Sequence, residues 1–263
     1  MATAGSYPAN DFALDHVLDV CREQGFTRIL EIGVGHGKAV PVLAAAGLEI
    51  TGLDRNPEMV EVSRAAMVAA GQDPDRITLG DFEDPAVVAA LVEQGPFDAV
   101  LGLGILPTAL DEDGVWRSVN ALLRPDGRAF MEYRNVLFSL VTFNRHTRDF
   151  ILDDLLVDVS PAMRQAAAEF IEPRLNVDVP PRPTSPNPPR YHNPLTIPAA
   201  VERVGLADAT PVYFHYHPAP PALEAVDPEL FHADAKALEH EDSGWKGMFL
   251  CSVFLLDARR TSD

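Results

Sequence analysis

Two cysteines in 263 residues, Cys21 and Cys251, are too few for a disulfide framework, and no ligand spacing around them suits zinc. Cys251 lies in residues 248–256, an apolar run that reads as a buried strand. Inert, reduced thiols in a cytoplasmic protein are therefore expected, with no metal. No apolar stretch approaches the roughly 20 residues that a membrane helix needs. The first residues lack a basic region followed by an apolar run, so no signal peptide is expected. Positive charge is also scarce. Lys plus Arg is 21 against 39 Asp plus Glu, a formal charge of −18. Such a surface repels phosphate backbones and anionic lipid, so neither nucleic acid nor a membrane is the expected partner. A small molecule remains, acted on by a monomer or homodimer. A local basic patch would draw on Arg145, Arg148, Arg182 and Arg190.

Against these shortages stands one dense motif. Residues 29–38 read Ile-Leu-Glu-Ile-Gly-Val-Gly-His-Gly-Lys. An apolar strand containing Glu31 runs into Gly33, Gly35 and Gly37, with a helix-like stretch beyond. Glycines at a strand-to-helix turn let a ligand approach the backbone, because no Cβ intervenes. The dinucleotide fingerprint G-x-G-x-x-G needs its third glycine at position 38, which is Lys38. That argues against a nicotinamide-dependent oxidoreductase. A second strand ends in Asp54, about twenty residues past the glycine loop, where nucleotide-binding folds set a carboxylate against ribose hydroxyls. Further strand ends follow at Gly80-Asp81-Phe82, at residues 97–106, and at residues 124–132, which begin Arg-Pro-Asp-Gly.

This ordered series resembles the class I S-adenosylmethionine-dependent methyltransferases. The glycine loop is similar to that family's first motif, and residues 54–59 (Asp-Arg-Asn-Pro-Glu-Met) to its second. Residues 97–106 are similar to its fourth. Residues 124–132 are similar to its turn into the fifth strand, with Asp126 in place of a glycine. The resemblance covers about half of the chain, residues 25–135. It implies S-adenosyl-L-methionine as cofactor and S-adenosyl-L-homocysteine as product. The implied contacts are Glu31, Gly33, Val34, Gly35, His36, Gly37, Asp54, Arg55, Met59, Asp81, Phe82, Gly102 and Leu103. Glu31 either orients the loop or meets the amino group of the methionine part. Asp81 accepts from the adenine amino group and Phe82 covers the ring.

Alternating helical and strand patterns in the first half imply a parallel sheet with helices on both faces. The expected fold is α/β: a Rossmann-like, doubly wound, mostly parallel seven-stranded sheet whose last strand is antiparallel. Residues 11–24 read as a helix that Asn10 or Asp11 caps, residues 84–94 and 111–123 as two more. After Glu132 the rhythm breaks. Residues 149–170 look helical with an interruption at Pro161, and residues 180–198 hold eight prolines. Within a single domain spanning 1–263, residues 133–195 are expected to form a cap that recognises the substrate. Helix 196–205, closed by Gly205, strand 212–217 and strand 247–259 complete the fold.

Tyr133, Arg134 and Asn135 end the fifth strand and, with Tyr191 and His217, are the expected substrate contacts. His146, His192 and His215 are candidate bases, because imidazole moves protons near neutral pH. His215 and His217 alternate along a strand and so share a face. A base is needed to methylate a hydroxyl. The expected activity is therefore methyl transfer, O-methylation first, to a sugar derivative or natural-product intermediate. N- or C-methylation and a binding protein that has lost activity remain as alternatives.

Overall fold

A computed structural model describes residues 9–175, 188–240 and 244–262. Residues 176–187 lie outside the described residues; they include positions 180–187 of the expected Pro-rich segment and, with them, Arg182 of the expected basic patch. Strands β1 (Arg28–Ile32), β2 (Glu49–Asp54), β3 (Ile77–Leu79), β4 (Phe97–Gly102), β5 (Leu123–Arg134), β6 (Leu206–Tyr216) and β7 (Cys251–Arg260) form one sheet in the order β3-β2-β1-β4-β5-β7-β6. Strands β1 to β5 pair in parallel. The start of β7 meets the end of β5, where the Asn135 amide donates to the Ser252 carbonyl at 3.0 Å. The same end of β7 meets the end of β6, where the His217 amide donates to Leu250. Strand β7 therefore runs antiparallel to both neighbours, as expected.

The parallel strands read as continuous apolar runs because helices cover both of their faces. Ile29, Leu30, Ile32, Ile50, Leu53, Val100, Leu101 and Phe130 are all buried. Helix α1 (Ala9–Gln24) precedes β1, and the helices between the strands are α2 (Val40–Ala45), α3 (Pro57–Ala69), α4 (Pro85–Glu93) and α5 (Glu112–Leu122). Asn56, Asp84 and Asp111 cap the last three by accepting from Glu58, Ala86 and Gly114 amides at 2.8–2.9 Å. Pro57 and Pro85 sit at the first helical position, where no donor is lost. Helix α5 buries Val115, Trp116, Val119 and Leu122 on its apolar face. Asn10 and Asp11 do not cap α1. The helix already includes Ala9, so both fall in its first turn.

Asp126 explains how an aspartate serves at a glycine position of the turn into β5. Its φ is +61°, a left-handed conformation that Asp tolerates better than most residues. Its carboxylate also accepts from Arg259 at 2.8 Å and from the Ser262 hydroxyl at 2.7 Å.

After β5 come α6 (Ser139–Thr142), α7 (Arg145–Asp149), a six-residue π-helix (Phe150–Leu155) and α8 (Pro161–Ile171). The expected helix 149–170 is thus broken earlier than Pro161, by the π-helix and the residues after it. Helix α9 (Ile197–Glu202) starts at Thr196, whose side chain makes no capping bond, and Gly205 follows with φ +94°. Strand β6 begins at Leu206, six residues before the expected start. Helix α10 (Pro228–Glu239) then precedes a single turn, α11 (Gly247–Leu250), so the last strand begins at Cys251 rather than Gly247.

Contacts divide the chain into two compact units. One comprises Asn10–Tyr133, Leu195–Val212 and Leu255–Asp263; the other comprises Met1–Ala9, Arg134–Pro194 and Tyr213–Phe254. The second unit thus adds residues 213–254 to the expected insertion. Among the described residues no helix is long and apolar enough to cross a membrane.

Candidate functional site

In the first unit, the carboxyl ends of β1, β2, β3 and β4 open onto a cleft. It is lined by Ile32, Gly33, Leu53, Asp54, Arg55, Gly80–Glu83, Gly104, Ile105, Thr108, Ala109 and Val115. The glycine loop is held by its own chemistry. Gly33, Gly35 and Gly37 all have positive φ, at +71°, +50° and +64°. A Cβ on Gly33 would run into Ile105, and one on Gly37 would lie 3.0 Å from Ala66 Cβ. The Gly33 and Val34 amides donate to the Leu53 carbonyl, tying the loop to the end of β2.

Asp54 stands at the centre of this arrangement. One carboxylate oxygen accepts from the Gly35 amide at 2.9 Å, the other from the Asn56 amide at 2.9 Å. Each oxygen keeps a second lone pair for a ligand hydroxyl. Glu31 is 4% exposed, and its Oε2 has no hydrogen-bond partner. Burial, then the charge of Asp54, pushes its carboxyl from 4.5 up to about 8. A buried carboxyl oxygen without a partner, beside a glycine loop, is unsatisfied until a donor or cation arrives.

The remaining expected contacts sort themselves by position. Asp81 is exposed and Phe82 buried, and both line the cleft, as does exposed Arg55. His36 is exposed on the loop, Val34 is buried under it, and Met59 is half-buried in the first turn of α3. None of these three lines the cleft. Gly102 and Leu103 do not line it either. A Cβ on Gly102 would lie 2.7 Å from Met131 Sδ, so that glycine admits a core side chain. The residues after β4 that line the cleft are Gly104 and Ile105, just beyond the strand's end. Sequence reading also missed Gly80, Glu83, Thr108, Ala109 and Val115. Gly80 and Glu83 flank the recognised Asp81-Phe82 pair, whereas Val115 shows only as an apolar position on α5.

Two cavities lie wholly within the described residues of the second unit. One, about 320 Å³, is lined by Val136, Ser139, Arg145, His146, Asp149, Phe150, Asp154, Pro188, Pro189 and Tyr191. It therefore unites His146 with Tyr191, whose rings lie 5.4 Å apart, and the Arg134 guanidinium sits 5.8 Å from the Tyr191 ring centre. Asn144 caps α7 by accepting from the His146 amide at 2.9 Å, which fixes the helix that carries His146. Phe150 and Asp154 come from the π-helix, a distortion common at functional sites. His192 does not line this cavity. Its backbone bridges the end of β5, accepting from Val136 and donating to Arg134.

The other cavity, about 250 Å³, is lined by His215, Tyr216, His217, Glu224, Phe231, His232 and Ala235. His215 and His217 do share a face, with ring centres 4.9 Å apart. Burial, then the neighbouring His215, lowers His217 to about 4, and neither of its ring nitrogens has a partner. His215 is also lowered by burial, and its Nδ1 lies 3.1 Å from the Ser252 hydroxyl. Among the described residues no group of three or more His, Cys, Asp or Glu side chains is placed to hold a metal ion.

Two of the expected substrate contacts are structural instead. Tyr133 is 1% exposed, and its hydroxyl accepts from the Trp116 indole at 2.7 Å. Asn135 is fully buried; its amide donates to the Met248 and Cys251 carbonyls and its oxygen accepts from Leu137. Both side chains are committed to the fold, a fate that the end-of-strand position did not reveal.

Residues 30–129 match a family described as a methyltransferase domain. A ubiquinone biosynthesis O-methyltransferase of Xanthomonas axonopodis pv. citri is 31% identical over 113 residues, 43% of this chain and 45% of that protein. One from Xylella fastidiosa strain M23 is 27% identical over 169 residues, 62% of each chain. This chain thus spans less than two thirds of the length of these curated relatives. An S-adenosylmethionine-dependent methyltransferase from Mesorhizobium loti superposes with a TM-score of 0.52 at 17% identity, covering 94% of this chain and all of that one.

Proposed function

We propose that this chain, whose residues 30–129 match a methyltransferase domain, is a class I S-adenosylmethionine-dependent methyltransferase that transfers a methyl group to a hydroxyl of a small polar metabolite. A sugar derivative or a natural-product intermediate fits best. The observation that carries this reading is the cleft around Asp54, with Glu31, buried and with its Oε2 unpartnered, one residue before the cleft-lining Ile32. These residues fit S-adenosyl-L-methionine. Asp54 accepts from the ribose hydroxyls, Phe82 covers the adenine, Asp81 accepts from the adenine amine, and Glu31 meets the ammonium of the methionine part. When bound, the sulfonium supplies an electrophilic methyl carbon. The work left to the protein is alignment, exclusion of water and removal of the acceptor's proton.

The acceptor is assigned to the cavity of His146 and Tyr191. His146 takes the hydroxyl proton, Tyr191 gives a flat apolar face, and Arg145 and Arg134 supply positive charge. Oxygen as the acceptor atom is supported by the curated relatives, which are named O-methyltransferases. The test is incubation with S-adenosylmethionine and a metabolite panel, read by mass spectrometry for the gain of one methylene. A hydroxyl acceptor should be methylated more slowly as the pH falls, and His146→Gln should flatten that profile with cofactor affinity retained. Transfer to a tRNA or DNA oligonucleotide in preference to any metabolite would contradict the substrate class.

A further inference from the structure

The cleft has two walls that are distant in sequence. One is the turn after β3, residues 80–83; the other is the loop after β4, residues 104–109. The Glu83 side chain reaches from the first wall to the chain just past the second. One carboxylate oxygen of Glu83 accepts from the Leu110 amide at 2.8 Å and from the Asp111 amide at 2.8 Å. Those amides precede α5, where no helical carbonyl is available to them. The loop so fastened includes Gly104, with φ +76°, and a short 3₁₀ turn, Leu106–Thr108. It also presses Ile105 onto the Cβ-less face of Gly33. Without the carboxylate, the loop would be tied less firmly at its downstream end, just where Thr108 and Ala109 face the cleft.

We propose that Glu83 is a positioning residue that latches the loop after β4 against the turn after β3 and so sets the width of the cofactor cleft. This rests on the cofactor reading above. The chemistry of the latch is specific. Two amides converge on one oxygen, so a carboxamide oxygen at the same reach would serve, whereas a shorter carboxylate would not arrive. The latch therefore depends on reach more than on charge.

Four proteins decide it: wild type, Glu83→Ala, Glu83→Asp and Glu83→Gln. Each is titrated calorimetrically with S-adenosylhomocysteine and compared by hydrogen exchange without ligand. Glu83→Ala and Glu83→Asp should lose protection in residues 104–111 and bind about 5- to 10-fold more weakly, as expected for one lost network of bonds. Glu83→Gln should stay within about twofold of wild type on both readouts. Affinity for Glu83→Ala and Glu83→Asp equal to wild type overturns the proposal, as does a Gln variant as weak as the Ala variant. Should Glu83→Ala fail to fold, the Asp and Gln pair gives the same decision. The exchange arm reads the latch without cofactor. Wild type that binds no S-adenosylhomocysteine, yet shows the Glu83-dependent protection, faults the cofactor reading and leaves the latch standing.

Discussion

Cofactor binding should release a proton from Glu31. Its carboxyl is held near 8 by burial and then by Asp54, against 4.5 in its ordinary setting. At pH 7 a group titrating at about 8 is roughly nine-tenths protonated. An ammonium brought against it favours the carboxylate and draws its titration back toward the ordinary range. The protein should then release about 0.9 proton per ligand bound at pH 7. Calorimetry in buffers of different ionisation enthalpy measures this number as a slope. Glu31→Gln, which cannot ionise, should give no slope. The same group shapes stability. Because its folded value is raised, its contribution is favourable below 4.5 and is lost as pH rises toward 8. The loss at pH 7 is on the order of 3 kcal/mol. Glu31→Gln should therefore flatten the decline in stability between pH 5 and 8. A wild-type slope of zero at pH 7 would refute the ammonium contact and leave Glu31 as a loop-orienting group only.

Asp54→Ala strands the Gly35 and Asn56 amides and removes the acceptor for the ribose, so affinity for S-adenosylhomocysteine should fall about 10- to 100-fold by calorimetry. Tyr133→Phe leaves the buried Trp116 indole without its acceptor and should cost about 1–3 kcal/mol in urea unfolding, with the KM for acceptor unchanged. A changed KM with intact stability would restore Tyr133 as a substrate contact. His217 is depressed from 6.5 to about 4, so it contributes stability above 6.5 that is lost as pH falls through 4. His217→Phe, packed between Phe138 and Phe231, should remove that loss, gaining about 2 kcal/mol at pH 5 relative to pH 7. An unchanged acid limb would contradict the depressed value.

The cofactor half of the molecule was readable because its determinants are local. A strand, a turn that needs positive φ and a capped helix leave their marks within ten residues, as in residues 29–38 and 54–59. Even there, the reading slipped by two residues at β4. The sequence reads Gly102 as a ligand-facing glycine, whereas in the structure it accommodates Met131 and the cleft is lined by Gly104 and Ile105. One glycine makes room for a ligand and the other for a core side chain, and the sequence writes both with the same letter. Glu83 was missed for another reason. Its partners, the Leu110 and Asp111 amides, are 27 and 28 residues away and have no side-chain signature.

The second unit was much less legible. A π-helix has neither the 3.6-residue period of an α-helix nor the alternation of a strand, so Phe150–Leu155 blurred the pattern around it. Nothing in the eight-residue spacing of His146 and Asp154 hints that Tyr191 shares a cavity with them. Tyr133 and Asn135 look like cleft residues because they carry polar groups at a strand end. Only the three-dimensional neighbours, the Trp116 indole and the Met248 and Cys251 carbonyls, reveal that those groups are already spent on the fold. His215 and His217 were rightly placed on one face, because a two-residue alternation is a local property.

The most direct test of the account is a paired calorimetric titration of the wild-type protein with S-adenosylhomocysteine and with NAD. The account predicts binding of S-adenosylhomocysteine at one site per chain, weakened by Asp54→Ala, and no heat from NAD. Binding of NAD with none of S-adenosylhomocysteine would contradict it, and would return the glycine loop, Lys38 included, to the dinucleotide-binding reading.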